Sequence, residues 1–237
     1  MSYRYVATSV AGFVQQLAVA YLTHGYYFYV TGRIPACKDP AKTDRKILEQ
    51  YGIEVSKWAR SRRKGEGRAN VHYLRYDRFY VILANHGIHP FFEAEAKRLR
   101  DIRRYPLGFL GYSIGCRRAR GGGEYHASVR IHPARFAELK ARFQSVAVHR
   151  TVEELFSDLR HLPFEPYAPI RSQFLGLLRA VNRRRKMAGL ELVPWSALRL
   201  RRVPVRPFAV RSEVQELAPS SSSISLGSEP EKSPRPE

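Results

Sequence analysis

The local signals in this chain predict an α+β fold. They point to a mainly antiparallel sheet with helices on one face, built from ferredoxin-like βαββαβ elements, plus a helical C-terminal layer and a disordered tail. Three observations carry that prediction. Aromatic and β-branched runs alternate with segments of helical periodicity, short turn signals join several runs directly, and the chain beyond Leu217 turns rich in Ser, Pro and Glu. With 237 residues, 44% hydrophobic and 12% aromatic, the chain is long enough for one well-cored domain with an appendage. The boundaries that follow are 1–148 for an α+β core, 149–208 for a helical, basic region and 209–237 for the tail.

The elements follow in order. Ser9 is a candidate N-cap for a helix whose apolar positions Val10, Phe13, Val14, Leu17, Ala18 and Tyr21 recur at helical spacing, with Gly25 as its C′ residue. Ala18-Val19-Ala20 resembles a signal-peptide cleavage pattern, but Gln15 and Gln16 interrupt the apolar run. No run reaches the ~18 apolar residues of a membrane span, so no membrane partner is expected. Tyr26 to Thr31 reads as a strand ending at Gly32, and Lys42 to Tyr51 as a helix with an Ile47, Leu48 and Tyr51 stripe closed by Gly52. Lys57 to Arg68 is dense in cations and ends with Gly65 and Gly67, which predicts an exposed, mobile basic loop at its far end.

Val71 to Tyr76 and Phe79 to Leu83 flank Asp77-Arg78, which fits two tightly joined strands or one long bent strand. Pro90 is expected to open a helix reaching Ile102, with Phe91, Phe92, Ala96 and Leu99 on one side. Leu107 to Cys116 reads as a strand, Gly121-Gly122-Gly123 as a turn, Tyr125 to Ile131 as its hairpin partner and Pro133 as the start of another helix. Thr151-Val152-Glu153-Glu154 fits a capping box, Pro163 to Pro169 a rigid connector, and Ile170 to Met187 a helix with Phe174, Leu177, Leu178 and Val181 on one face. Leu198 to Phe208 alternates apolar and basic residues around two prolines and suggests an exposed edge segment.

Charge points to the partner. The 41 Lys and Arg against 21 Asp and Glu give a net +20. From Ala209 onward three cations (Arg211, Lys232, Arg235) meet five carboxylates (Glu213, Glu216, Glu229, Glu231, Glu237), so the tail is at −2 and the body before it at +22. A compact body tolerates that self-repulsion most readily beside a polyanion, for which nucleic acid is the first candidate, ahead of an anionic membrane surface. Two cysteines, Cys37 and Cys116, argue against a disulfide framework and fit a reducing, cytoplasmic compartment.

The candidate phosphate-binding residues are the basic clusters. Arg62, Arg63, Lys64 and Arg68 lie in the predicted basic loop. Lys97, Arg98 and Arg100 line the helix expected after Pro90, with Arg103 and Arg104 at its exit. Arg117, Arg118 and Arg120 flank the triple-glycine turn, and Arg183, Arg184, Arg185 and Lys186 end the long helix, where cations suit the dipole. Aromatic residues on the predicted strands, Tyr26, Phe28, Tyr73, Phe79, Tyr112 and Tyr125, are mostly core by type. An exposed few, Tyr112 foremost, would stack unpaired bases at about 1–3 kcal/mol per base. RNA or single-stranded DNA is therefore favoured over duplex, in a ribonucleoprotein component or a mobile-element-associated protein.

The run Tyr73-Leu74-Arg75-Tyr76-Asp77-Arg78-Phe79-Tyr80-Val81-Ile82-Leu83-Ala84, followed by a charged segment and Gly108-Phe109-Leu110-Gly111-Tyr112, resembles the palm of group II intron-type reverse transcriptases. The resemblance covers about 40 residues and implies a palm-like topology. It departs where chemistry would occur, because Asp77 stands alone with Arg78 in the place of the second aspartate, and two-metal catalysis needs a carboxylate pair. Polymerisation is accordingly not expected.

Other chemistry is thinly signalled. His86-Gly87-Ile88-His89 lacks a Cys-x-x-Cys partner, and His126 and His132, six apart on or beside a strand, are too distant to share an ion. No Walker loop, dinucleotide fingerprint or nucleophile elbow is present, so no cofactor and no metal are expected. The alternative to a binding protein is a Mg-dependent nuclease or transposase-like strand transferase. It would draw its carboxylates from Asp77, Glu93 or Glu124, with Tyr125 beside His126 as a nucleophile.

Overall fold

The computed structural model describes residues 3–119 and 121–208; Arg120 and the Ser/Pro-rich tail lie outside the described residues. The fold is α+β with antiparallel sheets. Ser9 caps α1 (Val10–Gln15) by accepting from the Gly12 amide, and the same apolar face continues through a π-helical turn at Gln16–Tyr21 and a 3-10 turn at Leu22–His24. Gly25, at φ +84°, ends it as the sequence implied. There follow β1 (Phe28–Arg33), α2 (Pro40–Gln50), α3 (Lys57–Gly65), β2 (Val71–Tyr76), β3 (Phe79–Ala84), α4 (Phe91–Ala94) and β4 (Arg100–Asp101). The second half contains β5 (Leu107–Phe109), β6 (Tyr112–Arg118), β7 (Tyr125–Ile131), α5 (Pro133–Val146), α6 (Val152–Arg160) and α7 (Ala168–Met187).

The first sheet has the order β2-β3-β1-β4, with every neighbouring pair antiparallel. That is the strand order a ferredoxin-like βαββαβ unit produces. Tyr76 pairs with Phe79, so Asp77-Arg78 forms a two-residue turn between separate strands, with Asp77 at φ +51°. The remaining strands form a second sheet, β5-β6-β7.

Three local expectations change. The segment expected to be a helix from Pro90 to Ile102 is one helical turn followed by an edge strand, because Arg100 and Asp101 pair with Tyr29 and Phe28, and the Ile102 amide donates to the Tyr27 carbonyl. Pairing with β1 satisfies that backbone and buries Ile102. The basic run from Lys57 is a capped helix as far as Gly65, which leaves only Glu66 and Gly67 in a turn before Arg68: the Ser56 hydroxyl accepts from Ala59, and Arg62, Arg63 and Lys64 occupy the last turn of the helix. The strand expected over 107–116 is a hairpin, since Phe109 faces Tyr112 and both intervening residues, Leu110 and Gly111, have positive φ, as type I′ turns require.

Both faces of the first sheet are covered. Val30, Tyr73 and Ile82 pack with Ile47 and Leu48 of α2 and with Phe91. On the other face Tyr29, Leu74, Val81 and Leu83 join a larger core that includes α1, the second sheet and helices α5 to α7, with residues from both sides of position 148. Phe13, Phe79 and Phe109 bind that core together, with ring centres 4.2 to 5.8 Å apart. Across the α2 interface the buried Asp44 carboxylate accepts from the Tyr73 hydroxyl at 2.6 Å and bidentately from Arg75 at 2.8 and 2.9 Å. Among the described residues no helix is long and apolar enough to cross a membrane.

Candidate nucleic-acid interface

The pairing of β6 with β7 sets Ser113 opposite Arg130, Gly115 opposite Ser128 and Arg117 opposite His126. Ile114 and Val129 point into the core, and strand alternation sends the first set to the other face. There Ser113, Gly115, Ser128, Arg117 and Arg130 line a pocket of about 570 Å³, walled by Phe136 and Lys140 of α5. Gln173 of α7 fixes its edge, accepting from the Ile131 amide at 2.9 Å and donating to the Ile131 carbonyl at 3.1 Å. Arg130 reaches only the Ser128 hydroxyl, at 3.3 Å. Burial and the nearby Arg117 hold its guanidinium below the usual arginine value, the mark of a cation placed beside a like charge without a counter-ion.

Two further spaces lie alongside α7. Lys140 also lines a space of about 180 Å³ with Gln144, Arg179 and Arg183, and the last two line a third, of about 440 Å³, with Lys186 and Leu192. Arg179, Arg183 and Lys186 follow one another at helical spacing on α7. Six cations thus border three neighbouring pockets that share lining residues, Lys140 between the first two and Arg179 and Arg183 between the last two, and no carboxylate lines any of them; together they are called the groove below. None of the six is in an ion pair among the described residues. Such a run favours an extended polyanion whose charges repeat along its length.

Of the residues singled out from sequence, Arg117, Arg183 and Lys186 reach this groove. Arg184 is exposed on the same helix but outside the groove lining. Arg185 is a correction: only 4% exposed, it donates to the carbonyls of Ala147 and Arg150 at 2.8 Å and to that of Glu191, and so ties α7 to the chain before α6. Tyr112 is a second correction. It is 2% exposed, its hydroxyl accepts from the Glu165 amide at 3.0 Å and its ring meets Phe164, so it offers no stacking face. Arg103 is a third, held by Asp101 and by aromatic rings of both sheets. Tyr26 and Tyr73 are also buried.

The remaining cations lie elsewhere. Arg104 is exposed beyond β4, and Arg118 lies 5.1 Å from the Tyr125 ring centre. On α3, Arg62 and Lys64 are exposed, Arg63 donates to the Gly52 carbonyl, and Glu66 lies 3.9 Å from Arg62 and 3.6 Å from Arg68. Lys97, Arg98 and Arg100 sit on the turn and edge strand, with Arg98 donating to the Thr31 carbonyl.

Sequence reasoning missed Arg130, Lys140 and Arg179. Arg179 was signalled by its i, i+4 relation to Arg183, and Arg130 by strand alternation from Ser128, whereas nothing local marks Lys140 as facing α7.

The carboxylates of the alternative reading are dispersed. Asp77 is in the β2–β3 turn, Glu93 on α4 and Glu124 in the β6–β7 connection. The Tyr125 ring is flanked by Arg103 and Arg118. His89 accepts from the Phe91 amide through Nδ1, and burial lowers its pKa. Among the described residues no group of three or more His, Cys, Asp or Glu side chains comes together as a metal site.

No family model matches the chain, and no curated protein matches it. A functional reading therefore rests on the groove.

Proposed function

We propose that this chain binds nucleic acid through the groove formed by the β6–β7 face, α5 and α7. The observation that supports it is the placing of Arg117, Arg130, Lys140, Arg179, Arg183 and Lys186 around three neighbouring pockets that share lining residues and have no carboxylate among them. The mode is recognition of the phosphate backbone. The groove carries a single aromatic, Phe136, and the strand aromatics expected to stack bases are largely core, so the preference for single strands loses its stacking platform. Arginine supplies most of the contacts, with a planar fork suited to phosphate oxygens.

The test is fluorescence anisotropy of labelled single-stranded RNA, single-stranded DNA and duplex DNA across a salt series. At about 0.7 counterions released per phosphate on a single strand, four or more contacts give a log–log slope of about −3 or steeper. Arg179→Glu combined with Arg183→Glu lowers affinity at least tenfold and flattens the slope. A salt-independent affinity, or one unchanged in that folded variant, overturns the reading.

A further inference from the structure

We propose that a second, separate cleft, between α2 and the first sheet, binds a nucleoside phosphate. It has a volume of about 690 Å³, within the range of small-molecule sites, lies on the sheet face that packs against α2, and shares no lining residue with the basic groove. Its walls present Arg33 from the end of β1, Lys38 from the following loop, and Lys42 and Lys46 from α2. Lys42 and Lys46 are one helical turn apart and face the same side. None of these four is in an ion pair among the described residues.

Two carboxylates also line the cleft, and both are already engaged. Asp39 accepts from the Ala41 amide at 2.9 Å as the cap of α2. Glu95 accepts from the Tyr51 hydroxyl at 2.8 Å and lies 3.4 Å from Arg98. The cations therefore outnumber the carboxylates two to one at a concave surface, which calls for an anion carrying more than one charge.

The floor calls for a flat, partly apolar group attached to that anion. Tyr80 of β3 is paired directly with Gly32 of β1, and a Cβ at Gly32 would fall 2.2 Å from the Tyr80 hydroxyl. Glycine at that position is what lets the ring lie down across the sheet. Ile34, Ile47 and Ile82 border it, giving a platform for a planar base. The rim is fixed in advance: Arg78 donates to the Pro35 carbonyl at 2.6 Å and to the Lys38 carbonyl at 3.2 Å, holding the loop that carries Lys38. A preformed rim lowers the ordering cost of binding.

The experiment is a titration of the full chain with fluorescent mant-ADP and mant-GDP, with unlabelled adenosine and inorganic pyrophosphate as competitors. Saturable one-to-one binding is expected for at least one diphosphate, with both competitors at least tenfold weaker than the unlabelled diphosphate. Lys42→Glu with Lys46→Glu, and separately the milder Lys42→Gln with Lys46→Gln, weaken binding of both diphosphate and pyrophosphate. Tyr80→Leu weakens the diphosphate and leaves pyrophosphate unchanged. The Arg179→Glu, Arg183→Glu variant leaves mant-ADP affinity intact, so failure of the groove reading and failure of this one are distinguishable. No saturable binding by the wild-type chain, or equal affinity in a lysine variant that keeps its thermal transition, overturns the proposal.

Discussion

The guanidinium carbon of Arg103 lies 5.4 Å from the ring centre of Tyr125, joining the chain just after the first sheet to β7 of the second. The same guanidinium stands 4.8 Å from the Tyr27 ring centre and 5.7 Å from that of Phe28. It also donates bidentately to Asp101, at 2.9 Å from Nε and 2.7 Å from Nη2. A residue that reads in sequence as one more exposed phosphate ligand is thus a clasp between sheets. Arg103→Ala is expected to lower stability by about 2 kcal/mol through loss of the paired cation and its aromatic contacts. Nucleic-acid affinity stays within twofold. Urea unfolding and anisotropy on the same preparation check both halves.

Arg185 and Arg183 stand two residues apart and are expected to respond oppositely. Removing Arg185 leaves the buried Ala147 carbonyl, and the part-buried carbonyls of Arg150 and Glu191, without their donor, a loss of about 3 kcal/mol. Arg183→Ala, on the open groove, changes stability by less than about 0.5 kcal/mol and weakens nucleic-acid binding instead. Thermal melts of the two single variants separate the roles, and a reversed order of stabilities contradicts the assignment.

The β5–β6 turn carries a removable strain. Leu110 adopts φ +42° with its side chain largely exposed, next to Gly111 at φ +81°. Asparagine tolerates that backbone better than leucine, so Leu110→Asn should stabilise the fold by about 0.5–1 kcal/mol. Gly111→Ala should destabilise it, since a Cβ there adds backbone strain and meets the Phe164 ring at 3.3 Å. Chemical denaturation midpoints of both variants give the two signs.

His72 makes stability depend on pH. Its ring lies among Tyr3, Tyr21 and Tyr26, with Nδ1 3.0 Å from the Tyr3 hydroxyl. Burial, reinforced by Arg60, holds its pKa down at about 3. Below pH 6.5 the unfolded chain takes up a proton that the folded one refuses, so stability falls as pH drops from about 6.5 towards 3. The loss is about 1.4 kcal/mol per pH unit well inside that window, or roughly 2 kcal/mol between pH 6.5 and 5. Unfolding of the wild type and of His72→Phe is compared at pH 7.5, 6 and 5. An unchanged pH dependence in the variant removes His72 as its source.

Much of this architecture is legible in the chain itself. Ser9 and Gly25 bracket the first helix, Asp77-Arg78 divides two strands, and Thr151 and Glu154 form their reciprocal cap. These features are local, fixed by backbone preference and side-chain periodicity within a few residues. Which cations face the groove is not local. Arg185 is consumed by carbonyls as many as 38 residues away, Arg103 by rings of both sheets, and the helix expected after Pro90 yields to pairing with β1, far earlier in the chain. Periodicity reports the face on which a side chain stands, but only the folded chain brings a distant acceptor to it. The tertiary structure alone therefore sorted the arginines into clasps and groove, and brought Arg130, Lys140 and Arg179 beside Arg117 and Arg183.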